Sequence, residues 1–319
     1  TFLREKKMTD ETIETVGLAI RSDKPARPNS GHSGGGLYDR FRGRIMFPIF
    51  DGQGRVVAFS GRIFPSTPLG SAQGKPLGTS DQMAAKYVNS PETPLYNKSK
   101  ILYGYDRAKQ SIMREDACVL VEGQVDVVMA HQAGTTNAIA VSGTALTTDH
   151  LGLIKRFTNN LIMSFDGDSA GLAAAKRGVM LALGLGMEVK IAALPDGMDP
   201  ADLIAKELER WPLALANATH IIPFSLAHIV DRKLPPHEFT KEVSAEVLPF
   251  VSAISNRIER AHFIKDIARV LTVTEETVEL ELERISAQEE KESTVSFAQH
   301  AVPIIKKPKE NLKEKIFGI

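Results

Sequence analysis

A regular alternation of apolar runs and helical patterns between residues 115 and 211 constrains the fold most strongly. Continuous apolar runs are typical of strands that are buried on both faces, and a helix between two such strands makes them parallel. We therefore predict an α/β fold with a parallel sheet and flanking helices. In chain order, the predicted strands are residues 118–122, 137–141, 161–166 and 188–194, and the predicted helices are residues 124–133, 147–157, 169–183 and 200–208.

Acidic residues lie at the carboxyl ends of three of these four strands: Glu122 ends the first, Asp166 ends the third and Asp196 follows the fourth. The carboxyl ends of strands in an open α/β sheet are where ligands bind. Two unit charges 4 Å apart repel by about 4 kcal/mol at an effective dielectric of about 20, so a bound cation would relieve such a cluster. Other acids lie nearby in the sequence: Asp126, Asp168, Asp199 and Asp202.

These candidate ligands are all carboxylates, which favours Mg²⁺ or Mn²⁺ over softer metals. Two such ions can activate an attacking oxygen and stabilise a leaving one. For single residues a structural interpretation stays open, because Asp126, Asp168 and Asp199 are each placed to cap a helix or to interact with its dipole.

The single cysteine, Cys118, lies in an apolar run, so we predict a buried thiol. One cysteine excludes an internal disulfide and a cysteine-rich zinc site, and it fits a reducing cytoplasmic compartment. No apolar run has the roughly 20 residues that a membrane span needs. No Gly-x-x-x-x-Gly-Lys-Ser/Thr motif occurs, which excludes a P-loop nucleotide site.

Charge is distributed unevenly although the chain as a whole has no formal net charge. Residues 38–110 hold eleven Lys and Arg against five acids, a net charge of +6, and residues 115–202 hold five against eleven, a net charge of −6. A basic region beside an acidic one suits a polyanionic substrate that needs a divalent metal. Ordinary solvated surface charge is the alternative interpretation.

The ends of the chain follow other patterns. Residues 43–50 and 55–61 predict a hairpin, in which Pro48 indicates an edge strand or a bulge, and residues 86–90 predict an extended segment. Beyond residue 211 the periodic apolar positions predict helices only, up to residue 290. Residues 291–319 are polar and Lys-rich and predict a linker or tail.

The residues Val-Glu-Gly-Gln-Val-Asp at 121–126, together with Asp-Gly-Asp at 166–168, resemble a TOPRIM domain. The basic segment at 38–49 and the segment at 86–98, followed by Leu-Tyr-Gly-Tyr at 102–105, resemble the bacterial replicative primases of the DnaG family. The resemblance covers about residues 1–290 and keeps the family order of motifs.

This resemblance implies an RNA-polymerase core that makes RNA primers on single-stranded DNA in the cytoplasm. It implies a partial N-terminal basic subdomain (1–114), a TOPRIM catalytic domain (115–211), a helical subdomain (212–290) and a linker or tail (291–319). The expected partners are single-stranded DNA, nucleoside triphosphates and a replicative helicase, the last bound through a C-terminal domain outside this sequence. The family's N-terminal zinc-binding domain also lies outside it, so we expect no zinc here.

The resemblance also implies residue roles. Asp166, Asp168 and Asp196 would hold two or more Mg²⁺ or Mn²⁺ ions, and Glu122 would bind a metal or accept the proton of the attacking hydroxyl. Asp126 and Asp199 would be secondary acids. The cations expected to contact template or triphosphate are Arg40, Arg42, Arg62, Lys86 and Lys98. Two tyrosines, Tyr87 and Tyr96, either stack on bases or, as we favour, anchor loops.

Three other functions stay open. A TOPRIM-type nuclease would use the same acids to hydrolyse phosphodiesters. The Asp166-Gly-Asp168 sequence also resembles the nucleophile loop of haloacid-dehalogenase-type phosphatases, although that loop normally follows the first strand and here it follows the third. A single-strand-binding or scaffold module without catalysis would need none of the acids.

Overall fold

The computed structural model describes residues 2–21, 37–64, 85–164 and 169–300. The N-terminal part is mostly short elements that precede the parallel sheet. They are α1 (Phe2–Glu5), α2 (Asp10–Thr15), β1 (Ala19–Arg21), β2 (Leu37–Asp39), β3 (Arg44–Phe50), β4 (Val56–Ile63), β5 (Tyr87–Asn89), a 3₁₀ turn (Lys98–Lys100) and α3 (Tyr105–Glu115).

Strands β3, β4 and β5 form an antiparallel sheet in that order, so the predicted hairpin and the predicted extended segment are confirmed. Pro48 lies in the edge strand β3, opposite Phe59, and the register shifts between Ile49 and Phe50. An edge position tolerates proline because its missing N–H is not needed by a further strand.

The central part contains the predicted strands and helices. It comprises β6 (Cys118–Val121), α4 (Gln124–Gln132), β7 (Ala138–Ala140), α5 (Thr148–Lys155), β8 (Asn160–Met163), α6 (Ser169–Gly184), β9 (Glu188–Ile191), α7 (Pro200–Lys206), α8 (Arg210–Ala216) and β10 (Thr219–His220). The sheet order is β10-β9-β8-β6-β7, and only β10 is antiparallel to its neighbour. The predicted parallel α/β fold is therefore confirmed.

Strands β6 and β7 are buried on both faces, which explains their continuous apolar sequences. Strands β8 and β9 alternate buried and partly buried residues, and β9 accordingly carries Glu188 and Lys190. Val119 and Val121 pack in a core with α4, α7 and the fully buried Trp211. Cys118 and Leu120 point the other way, into the larger core under α3, α5 and α6. Cys118 is fully buried, as predicted, and burial raises the pKa of its thiol.

The strand order also locates the functional edge. After β6 the chain crosses to β7 on one side, and after β7 it returns to β8 on the other side of β6. When the connections that leave two neighbouring strands run to opposite sides, a crevice opens at the carboxyl ends of those strands. Ligands bind in this crevice in open α/β sheets. Residue 122 follows β6 at this point.

Beyond residue 211 the chain is helical, as predicted, except for β10, a two-residue strand that forms only by pairing with β9. The helices of the C-terminal part are α9 (Ile221–Asp231), α10 (Pro236–Glu246), α11 (Leu248–Ala253), α12 (Arg257–Leu271) and α13 (Glu275–His300). Val243 and Val247 are buried in the same core as α6, whereas Ile258 is 73% exposed. The sequence pattern ended the helical region at residue 290, but α13 continues to His300. None of the helices within the described ranges is long and apolar enough to cross a membrane.

A backbone bridge joins the N-terminal part to the parallel sheet. Tyr103 and Ala140 exchange two hydrogen bonds, N to O, of 2.8 and 3.1 Å. Gly104 then turns the chain into α3 with φ of +80°, and a Cβ there would lie 2.9 Å from Val127. Glycine is therefore needed at this turn, which fixes α3 against the edge strand β7.

Candidate functional site

Two of the predicted acids lie at strand ends in the described residues. Glu122 directly follows β6 and is exposed, and Asp196 is exposed in the turn after β9. Asp166 and Asp168 lie outside the described residues. In sequence they follow β8, which lies between β6 and β9 in the sheet.

Asp126 is 8% exposed and links two helix starts. Its Oδ2 accepts a 2.9 Å hydrogen bond from the amide of Gly123, and its Oδ1 accepts a 3.2 Å bond from the amide of Ala201. Because Gly123 adjoins Glu122 and Ala201 begins α7, this carboxylate fixes the loop after β6 relative to the loop after β9. Backbone amides at helix N-termini also offset its charge.

Asp199 has a similar structural role, because its side chain caps α7 by accepting a 2.6 Å bond from the amide of Asp202. The capping interpretation that the sequence left open therefore describes both Asp126 and Asp199. The sequence alone could not show that Asp126 reaches a second helix, since Ala201 is 75 residues away.

Tyr87 connects the basic sheet to this acidic edge. Burial raises the pKa of its phenol, Arg62 opposes this rise, and the carboxylates of Asp126 and Asp199 add to it. The guanidinium carbon of Arg62 lies 5.6 Å from the centre of the Tyr87 ring. The phenol is therefore within electrostatic range of both a cation of the antiparallel sheet and the carboxylates of Asp126 and Asp199. The second tyrosine, Tyr96, is 3% exposed and is the buried anchor that we favoured.

The other candidate cations differ in exposure. Arg42 and Lys86 are exposed, and Arg40 is partly buried. Burial lowers the pKa of Arg40, and among the described residues its Nε has no hydrogen-bond partner. A buried donor without a partner is uncommon and is often explained by a ligand or an ion.

Arg44 counted toward the basic charge of the sequence, but it is partly buried and contacts backbone. Its Nη1 donates 3.0 Å hydrogen bonds to the carbonyls of Gly61 and Ala85. These bonds tie the end of β4 to the residue before Lys86, so Arg44 orients the segment that presents Lys86.

Lys98 lies in a turn that is clamped to the start of α5. Its amide donates to Glu92 Oε1 at 2.9 Å, and its carbonyl accepts from His150 Nε2 at 2.9 Å. The Thr147 hydroxyl donates to the carbonyl of Ser99 at 2.6 Å. Because the other ring nitrogen of His150 accepts from the Thr147 amide, the buried imidazole is neutral.

Several buried polar atoms lie where the antiparallel sheet meets the carboxyl ends of the parallel strands. The Nδ2 atom of Asn89, in β5, is 3.5 Å from the carbonyl of Ser142, which follows β7. Among the described residues, four buried oxygens in this region have no hydrogen-bond partner: Ser60 Oγ, Asn89 Oδ1, Ser142 Oγ and Ser164 Oγ. Sequence reasoning missed them, because isolated Ser and Asn residues carry little signal.

The candidate ligands are of the chemical type that a hard divalent cation binds. Those in the described part of the chain do not form a complete metal site. Its acids supply only carboxylate oxygens, which Mg²⁺ and Mn²⁺ prefer. No three His, Cys, Asp or Glu side chains in the described ranges come together closely enough to hold a metal. A complete metal site therefore needs ligands from outside the described ranges. Asp166 and Asp168 lie outside those ranges and follow β8 in sequence.

Replacing Asp126 by Ala tests its role as a structural link. The change leaves two backbone amides without their acceptor, so we expect the free energy of unfolding to fall by about 1–3 kcal/mol. The matched change Asp196→Ala, at an exposed position, should alter it by less than about 0.5 kcal/mol. Urea unfolding followed by the fluorescence of Trp211, the only tryptophan, measures both; equal losses would contradict the link.

The neutral, buried His150 predicts a pH dependence of stability. Burial lowers its pKa from the ordinary 6.5, so below about pH 6.5 the unfolded state binds more protons than the folded state. Stability should therefore be complete above pH 6.5 and should decrease as the pH falls toward 5. His150→Gln should make this decrease shallower, whereas His237→Gln, at an exposed position, should leave it unchanged. Identical pH profiles for all three proteins would rule out His150 as a cause.

Two family models match the chain. "DNA primase catalytic core, N-terminal domain" matches residues 1–109, and "Toprim-like" matches residues 119–204. The DNA primase of Halalkalibacterium halodurans is 33% identical over 286 residues, covering 89% of this chain and 45% of the relative. The DNA primase of Listeria monocytogenes is 31% identical over 307 residues, covering 89% and 47%. The chain thus spans less than half the length of these relatives.

Solved structures are similar over most of their own length. The RNA polymerase domain of Mycobacterium tuberculosis primase DnaG is 31% identical with a TM-score of 0.67, covering 84% of this chain and 80% of that one. A DnaG primase catalytic domain bound to single-stranded DNA is 30% identical with a TM-score of 0.67, covering 87% and 81%. The matched regions include both the basic sheet and the parallel sheet.

Proposed function

The chain belongs to the DnaG family of bacterial DNA primases, and on this premise we propose that it synthesises RNA primers on single-stranded DNA in the cytoplasm. The observation that carries the proposal is the position of Tyr87 in β5, whose ring lies 5.6 Å from the Arg62 guanidinium carbon and whose phenol pKa is raised by the charges of Asp126 and Asp199. This residue relates the basic antiparallel sheet to the carboxylates beside the parallel sheet. An enzyme that joins nucleotides along a template needs such an arrangement, with cations for phosphates beside acids for metal.

We assign the parts of this reaction to the parts of the chain. Residues 1–114 form the template-facing subdomain, residues 115–211 the catalytic TOPRIM domain and residues 212–290 a helical subdomain without catalytic groups. Residues 291–319 lead toward a helicase-binding region. The opposite charges of the first two parts, net +6 over 38–110 and −6 over 115–202, support this division.

Glu122, Asp166, Asp168 and Asp196 would hold two or more divalent cations, Mg²⁺ or Mn²⁺. Bound there, the ions would supply charge stabilisation for the triphosphate and for the leaving pyrophosphate. Asp126 and Asp199 act indirectly in this proposal, because their carboxylates are occupied by the amides of Gly123, Ala201 and Asp202. They hold the loops that present the other acids.

Glu122 is the residue best placed to accept a proton from the attacking 3′-hydroxyl, because it is exposed at the switch point of the sheet. Its other role in this proposal is to bind a metal. In either role its negative charge is required, so the uncharged isostere Gln would not replace it.

Phosphate binding belongs to the basic sheet in this proposal. Arg40, Arg42, Arg62, Lys86 and Lys98 would contact the template strand or the incoming triphosphate, which positions the substrates without reading their sequence. The partnerless Nε of Arg40 supports this role, as does the clamp that holds the Lys98 turn. Similar structures described as bound to single-stranded and double-stranded DNA support a DNA partner.

The substitution Glu122→Gln tests the proposal. With labelled ribonucleotides, single-stranded DNA and Mg²⁺, we expect the full chain to make RNA and the variant to lose about a hundredfold or more of that activity. Glu115→Gln is the matched control, because Glu115 is an exposed side chain paired with Arg114 at the end of α3, and it should keep full activity.

Other outcomes identify the competing functions. A fully active Glu122→Gln protein would refute the site. Cleavage of the DNA without RNA synthesis would favour the nuclease. A covalent phosphoenzyme on Asp166 would favour the phosphatase, and DNA binding without any metal-dependent chemistry would favour the non-catalytic module.

A further inference from the structure

A cleft apart from the proposed primer-synthesis site is lined by residues of α3, by the end of α5 and by the residues that follow it. It opens between these helices and the tip of the β3–β4 hairpin and has a volume of about 440 Å³. Pockets for small ligands are typically about 300–1,000 Å³, so a mononucleotide fits. Its lining includes none of the candidate acids or cations of the primer-synthesis site.

The cleft is positively charged. Arg55, Lys109 and Arg156 line it, and Asp51 is its one acidic lining residue. The negative charge of Asp51 is already compensated. Its carboxylate accepts hydrogen bonds from the Arg55 side chain at 2.7–2.8 Å and from the backbone amides of Gln53 and Arg55. These contacts lower its pKa and keep it ionised in its pair with Arg55.

Two cations remain uncompensated. No carboxylate of the described residues forms an ion pair with Lys109 or Arg156. The Lys109 ammonium donates one 2.9 Å hydrogen bond to the carbonyl of Gly52, which leaves two of its three protons for a ligand. A phosphate group would satisfy both cations.

The wall of the cleft is aromatic. The Tyr105 and Phe157 rings lie 6.2 Å apart at 47° to each other, and the Tyr105 hydroxyl is held by the carbonyl of Leu153 at 3.1 Å. This bond holds the Tyr105 ring in the core, where it is 7% exposed, so the partly exposed Phe157 ring is the surface left for a planar group. The exposed amide of Gln53 stands at the hairpin tip and can donate to and accept from a base edge.

From these features we propose that the cleft binds one nucleotide unit, with its phosphates on Lys109 and Arg156 and its base against Phe157. A simple anchor for the hairpin would need only the single bond from Lys109 to Gly52. It would not require the second cation or the partly exposed Phe157 ring. The nucleotide could be free or part of a strand, since both present the same chemistry.

Binding of ATP to the full chain in EDTA tests this proposal, because without divalent metal the acidic edge repels a triphosphate. Calorimetry should detect ATP binding to the wild type. The double change Lys109→Gln, Arg156→Gln should weaken it by about tenfold or more, because two charge-assisted contacts are lost. Gln at 109 can still donate to Gly52, so the hairpin should keep its place. Lys265→Gln, an exposed charge on α12, is the matched control and should bind as the wild type does.

Cross-linking locates the site even if the double variant fails to fold. In EDTA, 8-azido-ATP should label peptides that contain Tyr105 or Phe157.

Tripolyphosphate and adenosine should each bind more weakly than ATP, since each fills half of the cleft. Tighter binding of a short oligothymidylate than of ATP would assign the site to a strand, and the reverse would assign it to a free nucleotide. Labelling elsewhere, unchanged ATP affinity in the double variant, or equal binding of tripolyphosphate and ATP would overturn the proposal.

Discussion

The carboxylate of Asp126 is the interaction on which the arrangement of the proposed site depends, because it joins the amide of Gly123, after β6, to the amide of Ala201, in α7. Glu122 is exposed after β6 and Asp196 is exposed after β9, and Asp166 and Asp168 follow β8 in sequence. The amide of Asp202 likewise donates to Asp199 at the start of α7. Asp126 and Asp199 are thereby fixed in place, and we propose that the exposed Glu122 and Asp196 contribute to a cation site.

The N-terminal part is joined to the parallel sheet through Tyr103 and Ala140. Its Tyr87 lies beside Arg62 and close enough to Asp126 and Asp199 for their charges to raise the pKa of the phenol. The turn that carries Lys98 is held by the buried, neutral His150. Cations on a positioned backbone lose less freedom when they bind phosphate, which favours a preorganised substrate site.

The sequence predicted the parallel sheet well, because strands buried on both faces must be continuously apolar. It also placed Glu122 after β6 and Asp196 after β9, as the structure does, whereas Asp166 and Asp168 lie outside the described residues. It did not predict α3 or the two- and three-residue strands β1, β2 and β10, since strands this short depend on pairing with distant residues. Nor could it separate Asp126 from Glu122 in function, because the contact that distinguishes them joins Asp126 to Ala201 across 75 residues.

The central claim is that the acids of three strand ends together hold divalent cations, and Mn²⁺ binding tests it most directly. Electron paramagnetic resonance should detect Mn²⁺ bound to the full chain. The single changes Glu122→Gln, Asp166→Asn and Asp196→Asn should each weaken the binding, whereas Asp231→Asn, at the exposed end of α9, should not. Mn²⁺ affinity that is unchanged in all three strand-end variants would contradict the account.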